Sequence, residues 1–276
     1  MKNKLPIILI LIVIITLFIA SFAIPFFFEN NIYEQNAALK YAKPSELYIL
    51  GNDYLGRDMF VRICYAIRNS FIIVICSIPI SMLFGIIYGA YAGYSSVTVE
   101  KIMTSIMNIF ESTPEFLLAI LIMVVISGLD IKFFDGGIFG IIATVIILSW
   151  VKIARIIKNE TKKIANNDYV LYSELKNARF GHIFIFHILP GIRRIAITTT
   201  AQKISSVIFL EAFLSYIGIG IQPPNPSLGI MIYEGAKYIR TYPHLLLFPA
   251  ATLFIVILLF NILGELLKFE NKIENL

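Results

Sequence analysis

Charge is scarce in this chain. Asp, Glu, Lys and Arg make up only 15% of its 276 residues, against roughly 25% in an ordinary soluble domain. Cysteine is scarcer still: Cys64 and Cys76 are the whole complement, and no C-x-x-C occurs. That excludes a disulfide framework, a thiolate metal site and a dithiol redox motif. The three histidines, His182, His187 and His244, are too scattered to form a metal-ligand motif. No G-x-x-x-x-G-K-[ST] run is present, so the chain brings no phosphate-cradling loop of its own. No Ser-His-Asp or Cys-His grouping has supporting context. A nucleic-acid binder would need a basic, aromatic-bearing soluble face, which is also missing.

What is abundant is apolar sequence. Residues of the AVILMFWYC set reach 58% and the mean hydropathy is +0.81. This material comes in blocks long enough to cross a bilayer. The expected fold is all-α and polytopic, a single transmembrane domain over residues 1–276. Its six spans fall near residues 5–28, 70–91, 103–127, 138–157, 195–220 and 245–267. The first run follows Lys2 and Lys4 and ends in Pro-Phe-Phe-Phe. A signal-peptide core is shorter and ends in small residues, so the run reads as a retained span. Of the 23 Lys and Arg, fourteen lie in segments assigned to the cytoplasm, eight lie outside, and Lys203 lies within a span. That bias puts both termini on the cytoplasmic side.

Several local patterns carry further expectations. Met59, Phe60, Ile63, Cys64 and Ile67 share a helical face opposite Arg62 and Arg68, which predicts an interfacial amphipathic helix ahead of the second span. Gly85 and Gly89 form a small-x-x-x-small pair that admits a close helix neighbour. Trp150, Lys152 and Arg155 read as an interface anchor. Asp130–Gly137 reads as a tight outer loop, and 221–244 as an external segment. Glu111 and Glu115 stand one helical turn apart, read either as a cation site or as a solvated span end. Glu211 lies inside the fifth span with Lys203 two turns earlier on the same face; it is either a buried polar anchor or a lining of a pathway. The seven methionines are core filling.

The longest polar stretch, 157–194, sets Lys158, Lys162, Lys163, Lys176, Arg179, Arg193 and Arg194 against Glu160, Asp168 and Glu174. It belongs on the cytoplasmic side. Ile164, Leu171, Tyr172, Leu175 and Ala178 recur in it at helical spacing, predicting a short amphipathic helix that offers an apolar face. The competing reading lays that helix on the bilayer, its basic residues against lipid phosphates.

Three motifs, LGNDYLGRDMF (50–60) with Arg62 and Arg68, EAFLSYIGIGIQPPNPSLG (211–229) and FNILGE (260–265), occur in one order at one spacing. Together they resemble the dipeptide/oligopeptide/nickel branch of ABC-importer permeases, the subunit of the C type, over residues 50–268. The resemblance implies a type I importer. Its partners would be a second permease subunit, two cytoplasmic ATPase subunits that hold ATP and Mg, and an extracellular or periplasmic substrate-binding protein. The setting is a prokaryotic cell membrane and its lipids. This chain would bind no cofactor and no metal and would not itself be an enzyme.

In that family the loop before the fifth span carries E-A-A, a Gly four positions on, and a downstream H-I-L-P. Here His187, Leu189 and Pro190 belong to an intact HILP. The E-A-A positions fall on Leu171, Tyr172 and Ser173, and the Gly position on Asn177. The implied ATPase-coupling set is therefore Leu171, Tyr172, Ser173, Leu175, Asn177, Ala178, His187, Leu189 and Pro190. Asn tolerates the left-handed conformation best after Gly, so the expectation is docking without the family's ion pair. Asp53, Arg57 and Asp58 are either a structural turn or part of an outer gate or of the surface seen by the binding protein. Gln222, Pro223 and Pro224, in a segment that its prolines keep extended, either meet the binding protein or cap the fifth span. Two rivals stand beside this reading: an ion-coupled secondary transporter, which needs a midplane coupling site, and a non-transporting membrane receptor or scaffold, which needs a soluble domain. For the substrate, peptide ranks first and nickel or a metal chelate second; Pro-Glu-Phe at 114–116 resembles the nickel type.

Overall fold

The computed structural model describes residues 5–28, 32–128 and 137–274, with side chains through residue 270. The helices among them are α1 (Leu5–Phe27), α2 (Met59–Tyr94), α3 (Val97–Glu111), α4 (Glu115–Ser127), α5 (Ile138–Ala165), α6 (Asp168–Leu175), α7 (Phe180–Ile183), α8 (Leu189–Tyr216), α9 (Leu228–Ala236) and α10 (His244–Glu274). A π-helical turn, Phe184–Ile188, joins α7 to α8 without a break. Five helical stretches are long and apolar enough to cross a membrane, and α3 with α4 makes a sixth when the bent pair is counted as one. The all-α, six-span architecture follows.

The third span is broken. α3 and α4 meet at 84°, where Pro114 removes a backbone donor and Ser112 caps the preceding helix through Asn108. The separate interfacial helix expected before the second span does not exist. α2 starts at Met59 and runs unbroken for 36 residues, with Asp58 accepting hydrogen bonds from the Phe60 and Val61 N–H groups. The polar face that suggested the interface is turned into the protein: Arg62 is only 2% exposed and lies 3.5 Å from Asp53 and 3.9 Å from Glu234.

α2 packs lengthwise on α5. A Cβ on Gly85 would stand 2.9 Å from the Trp150 carbonyl oxygen, and Cβ atoms on Gly89 and Gly93 would collide with the Ala154 and Lys158 carbonyls. The small-residue ladder thus has a third rung, Gly93, beyond the two legible by spacing. Trp150 is no interface anchor. It is buried beside Gly85 and touches Phe84, Tyr88 and Phe110 at ring distances of 4.9, 4.8 and 5.6 Å.

The segment 221–244, expected to be external, contains a helix of its own, α9. α9 folds back with Leu228, Gly229, Ile230 and Met231 buried, and Gly229 leaves room only for the Ala212 carbonyl. α9 thereby fills the angle between α8 and α10. All but Gly137 of the expected outer loop lies outside the described residues.

Candidate functional site

Three polar regions carry the residues singled out in the sequence. The first is the elbow at 166–188. Val170 is its pin: it is fully buried with Ile164, Ile183, Ile188 and Ile192 in one apolar cluster. From that pin α6 turns Leu171, Tyr172 and Leu175 outward, at 43, 60 and 82% exposure. Ile164 and Ala178 do not share this face, contrary to the periodicity. Ile164 ends α5 inside the cluster and Ala178 lies beyond α6, packed against that cluster.

The C-terminus of α6 is closed by Asn177, at φ +59. Its N–H donates to Glu174 O (2.8 Å) and the Ala178 N–H donates to Ser173 O (3.1 Å), the paired bonds of a Schellman cap. Asn177→Gly is expected to hold or raise stability, and Asn177→Val to lower it by about 1 kcal/mol, the cost of a β-branched residue at positive φ. Thermal melting of the purified protein checks the order.

Ser173 Oγ lies 3.0 Å from His187 Nε2, joining the E-A-A-like helix directly to the HILP turn. The Tyr169 ring also meets His187 at 5.6 Å. Neither contact was signalled by spacing. Leu189 and Pro190 stay exposed at the start of α8.

The second region lies at the end of the bundle away from the elbow. Asp53, Arg57 and Arg62 are 6, 5 and 2% exposed, so Asp53 and Arg57 are not a surface offered to a partner. Arg57 Nε donates to Asp53 Oδ2 at 2.7 Å. Arg62 approaches Asp53 at 3.5 Å, and both arginines approach Glu234 of α9, at 3.8 and 3.9 Å. Tyr54 Oη donates to Glu234 at 2.9 Å. Burial, then the Glu234 charge, raises the Tyr54 phenol above its usual pKa. Burial likewise raises Asp58, which its two backbone N–H bonds only partly counter. Glu234 is the member that sequence reading missed, since nothing in the spacing links α9 to residue 53. Gln222, Pro223 and Pro224 are exposed at the tip of the same end. The Gln222 amide donates to the Gly218 and Gly220 carbonyls, so this side chain caps the end of α8. α8 itself stops at Tyr216, short of the expected residue 220, because Gly218 takes φ +84.

The third region lies within the membrane-length helices. Glu211 is fully buried and accepts hydrogen bonds from Ser70 Oγ (2.7 Å) and Ser215 Oγ (3.1 Å). It cross-links α8 to α2. Lys203 does not serve it. Its Nζ meets Glu115 at 2.5 Å, because α4 rather than the far turn of α8 lies beside it. Glu111 and Glu115 also part company at the bend, Glu111 pairing with Arg155 at 2.7 Å. They do not converge on a cation site.

A helical bundle of membrane-length helices, with an elbow at one end and a folded-back helix at the other, defines a polytopic membrane subunit. The chain belongs to the family of binding-protein-dependent transport system inner membrane components, which matches residues 81–269. It is 32% identical, over 97% of its length, to the oligopeptide transport system permease protein OppC of Bacillus subtilis (strain 168), covering 85% of that protein. Against the dipeptide transport system permease protein DppC of the same organism it is 32% identical over 96%, covering 80%. Against the glutathione transport system permease protein GsiD of Pectobacterium atrosepticum it is 30% identical over 94%, covering 82%. It is a C-type permease subunit of an ABC importer, an inner-membrane component and not an enzyme.

Proposed function

We propose that the chain forms half of the path by which an importer brings peptides into a prokaryotic cell, both termini lying in the cytoplasm. The oligopeptide, dipeptide and glutathione names of its relatives support the substrate class. Nickel gains no support from the divergence of Glu111 and Glu115. The observation that carries the mechanism is the outward face of α6: three large apolar side chains held in solvent by one buried valine and a capped C-terminus. A cytoplasmic ATPase is its fitting occupant. ATP and Mg would be held there, not here, and a second permease subunit would complete the path. Gln222, Pro223 and Pro224 would meet the substrate-binding protein.

In this reading the Ser173–His187 contact passes the ATPase's stroke to α8. Tyr172→Asp with Leu175→Asp puts two charges into an apolar interface and is expected to weaken docking about a hundredfold or more. ATPase subunits should then no longer co-purify. Unchanged recovery would discard the docking face. Titrating the cognate binding protein with a peptide library and with Ni²⁺ tests the substrate class; saturation by Ni²⁺ alone would overturn peptide.

A further inference from the structure

A cavity of about 340 Å³ opens between α4, α8 and α10, lined in part by Glu115, Phe116, Ser206, Phe209, Phe213 and Asn261. Its depth is given by Lys203, which lies midway along α8, and by Glu115, which opens α4 at the break in the third span. The pair here is lopsided. The Lys203 side chain is 5% exposed while that of Glu115 is 46% exposed, so the ammonium supports the carboxylate from behind and the carboxylate faces the cavity. A half-exposed carboxylate at this depth belongs against a water-filled route or a protein surface, not hydrocarbon.

The walls extend the same chemistry. Gln202, Ser206, Phe209 and Phe213 follow one face of α8, and Ile257, Asn261 and Glu265 one face of α10. Gln202 Nε2 donates to Glu265 at 3.1 Å, tying the two stripes together. Lys268 stands 3.7 Å from Glu265 and offsets its charge toward the end of α10. At the waist the charge presented is that of Glu115, flanked by phenylalanine rings whose faces also favour a cation.

We infer that Glu115 is a specificity-determining residue of the path: it receives the ammonium group of a substrate in transit, with Lys203 positioning it. The inference rests on the peptide-import reading, in which that group is a peptide's free amino terminus. It excludes substrates that present only a carboxylate at this point.

The test uses the whole importer in vesicles, with Ser206→Cys placed in a Cys76→Ser background. A trimethylammonium-bearing methanethiosulfonate should label the introduced thiol about tenfold faster than the sulfonate-bearing reagent, because the local field is negative. In Glu115→Gln/Lys203→Gln, which removes both charges and leaves no unmatched buried ammonium, that preference should vanish; Glu115→Asp should keep it. Equal rates in both backgrounds, or no labelling by either reagent, would overturn the inference. A second arm supplies binding protein preloaded with a dipeptide or its N-acetyl form, scoring uptake per loaded protein. The parent importer should favour the free amine about tenfold, and the double variant should show no preference while retaining its ATPase subunits. An unchanged preference in the double variant would also overturn it. Charge-selective labelling without uptake of either peptide would uphold the carboxylate's role and defeat the peptide reading instead.

Discussion

Gly89→Leu is expected to abolish accumulation of the folded protein. The site admits no side chain: even a bare Cβ would collide with the Ala154 carbonyl and stand 2.9 Å from Ile157 Cβ. The obstructing atom is backbone, so no rotamer change relieves it and α5 must move away. Gly85 and Gly93 stand one turn to either side on the same face and contact the same helix, so the whole ladder opens at once. Overpacking of this kind costs about 3 kcal/mol or more, a large part of a typical net stability. Without water to drive association, close packing is itself what holds membrane helices together. Size-exclusion of the detergent-solubilised protein reads the outcome. Ile87→Leu, two residues away on an exposed face, should elute as the parent does. A Gly89→Leu protein with parental yield and melting temperature would refute the ladder.

Arg62→Met is expected to destabilise the protein by about 3–5 kcal/mol, the usual result of breaking a buried ionic set by removing one member. Asp53 and Glu234 would then share Arg57 alone, leaving one buried negative charge in excess. Adding Glu234→Gln cancels that excess. The double variant should recover about 1–2 kcal/mol relative to the sum of the single losses. The distances of 3.5 and 3.9 Å from Arg62 to its partners mean that charge balance, more than hydrogen bonding, is being tested. Strictly additive losses in a thermal-melt cycle would show instead that Arg62 is buried for its volume.

The membrane character, the span count and the outward face of the elbow helix were legible because hydropathy blocks and helical periodicity are local properties. Gly85 and Gly89 were legible as a contact face, but their partner, α5, was not; pairing of helices is a tertiary choice. The same limit explains the misreadings. Arg62 made 59–68 look amphipathic, yet its counter-charges come from residues 53 and 234, and no local pattern reveals that an arginine will be neutralised from so far along the chain. Trp150 beside Lys152 and Arg155 has the composition of a bilayer boundary, and only the apposition of Gly85 turns it inward. Lys203 and Glu211 share a face of one helix, but α4 supplies the nearer carboxylate. The motif positions in the elbow were readable as a row; the hydrogen bond between Ser173 and His187 needed the chain to fold back on itself.

The glycine ladder has a mechanical meaning. α2 is about 54 Å long and α5 about 42 Å at the usual rise per residue, both exceeding the roughly 30 Å of hydrocarbon. Interlocked at rungs whose clearances leave no room to slide, they pack as one unit, with the buried arginine cluster near one tip and the elbow at the other. Under the coupling proposed above, a push at the elbow would reach the opposite end as a joint tilt of the two helices, with no slide between them.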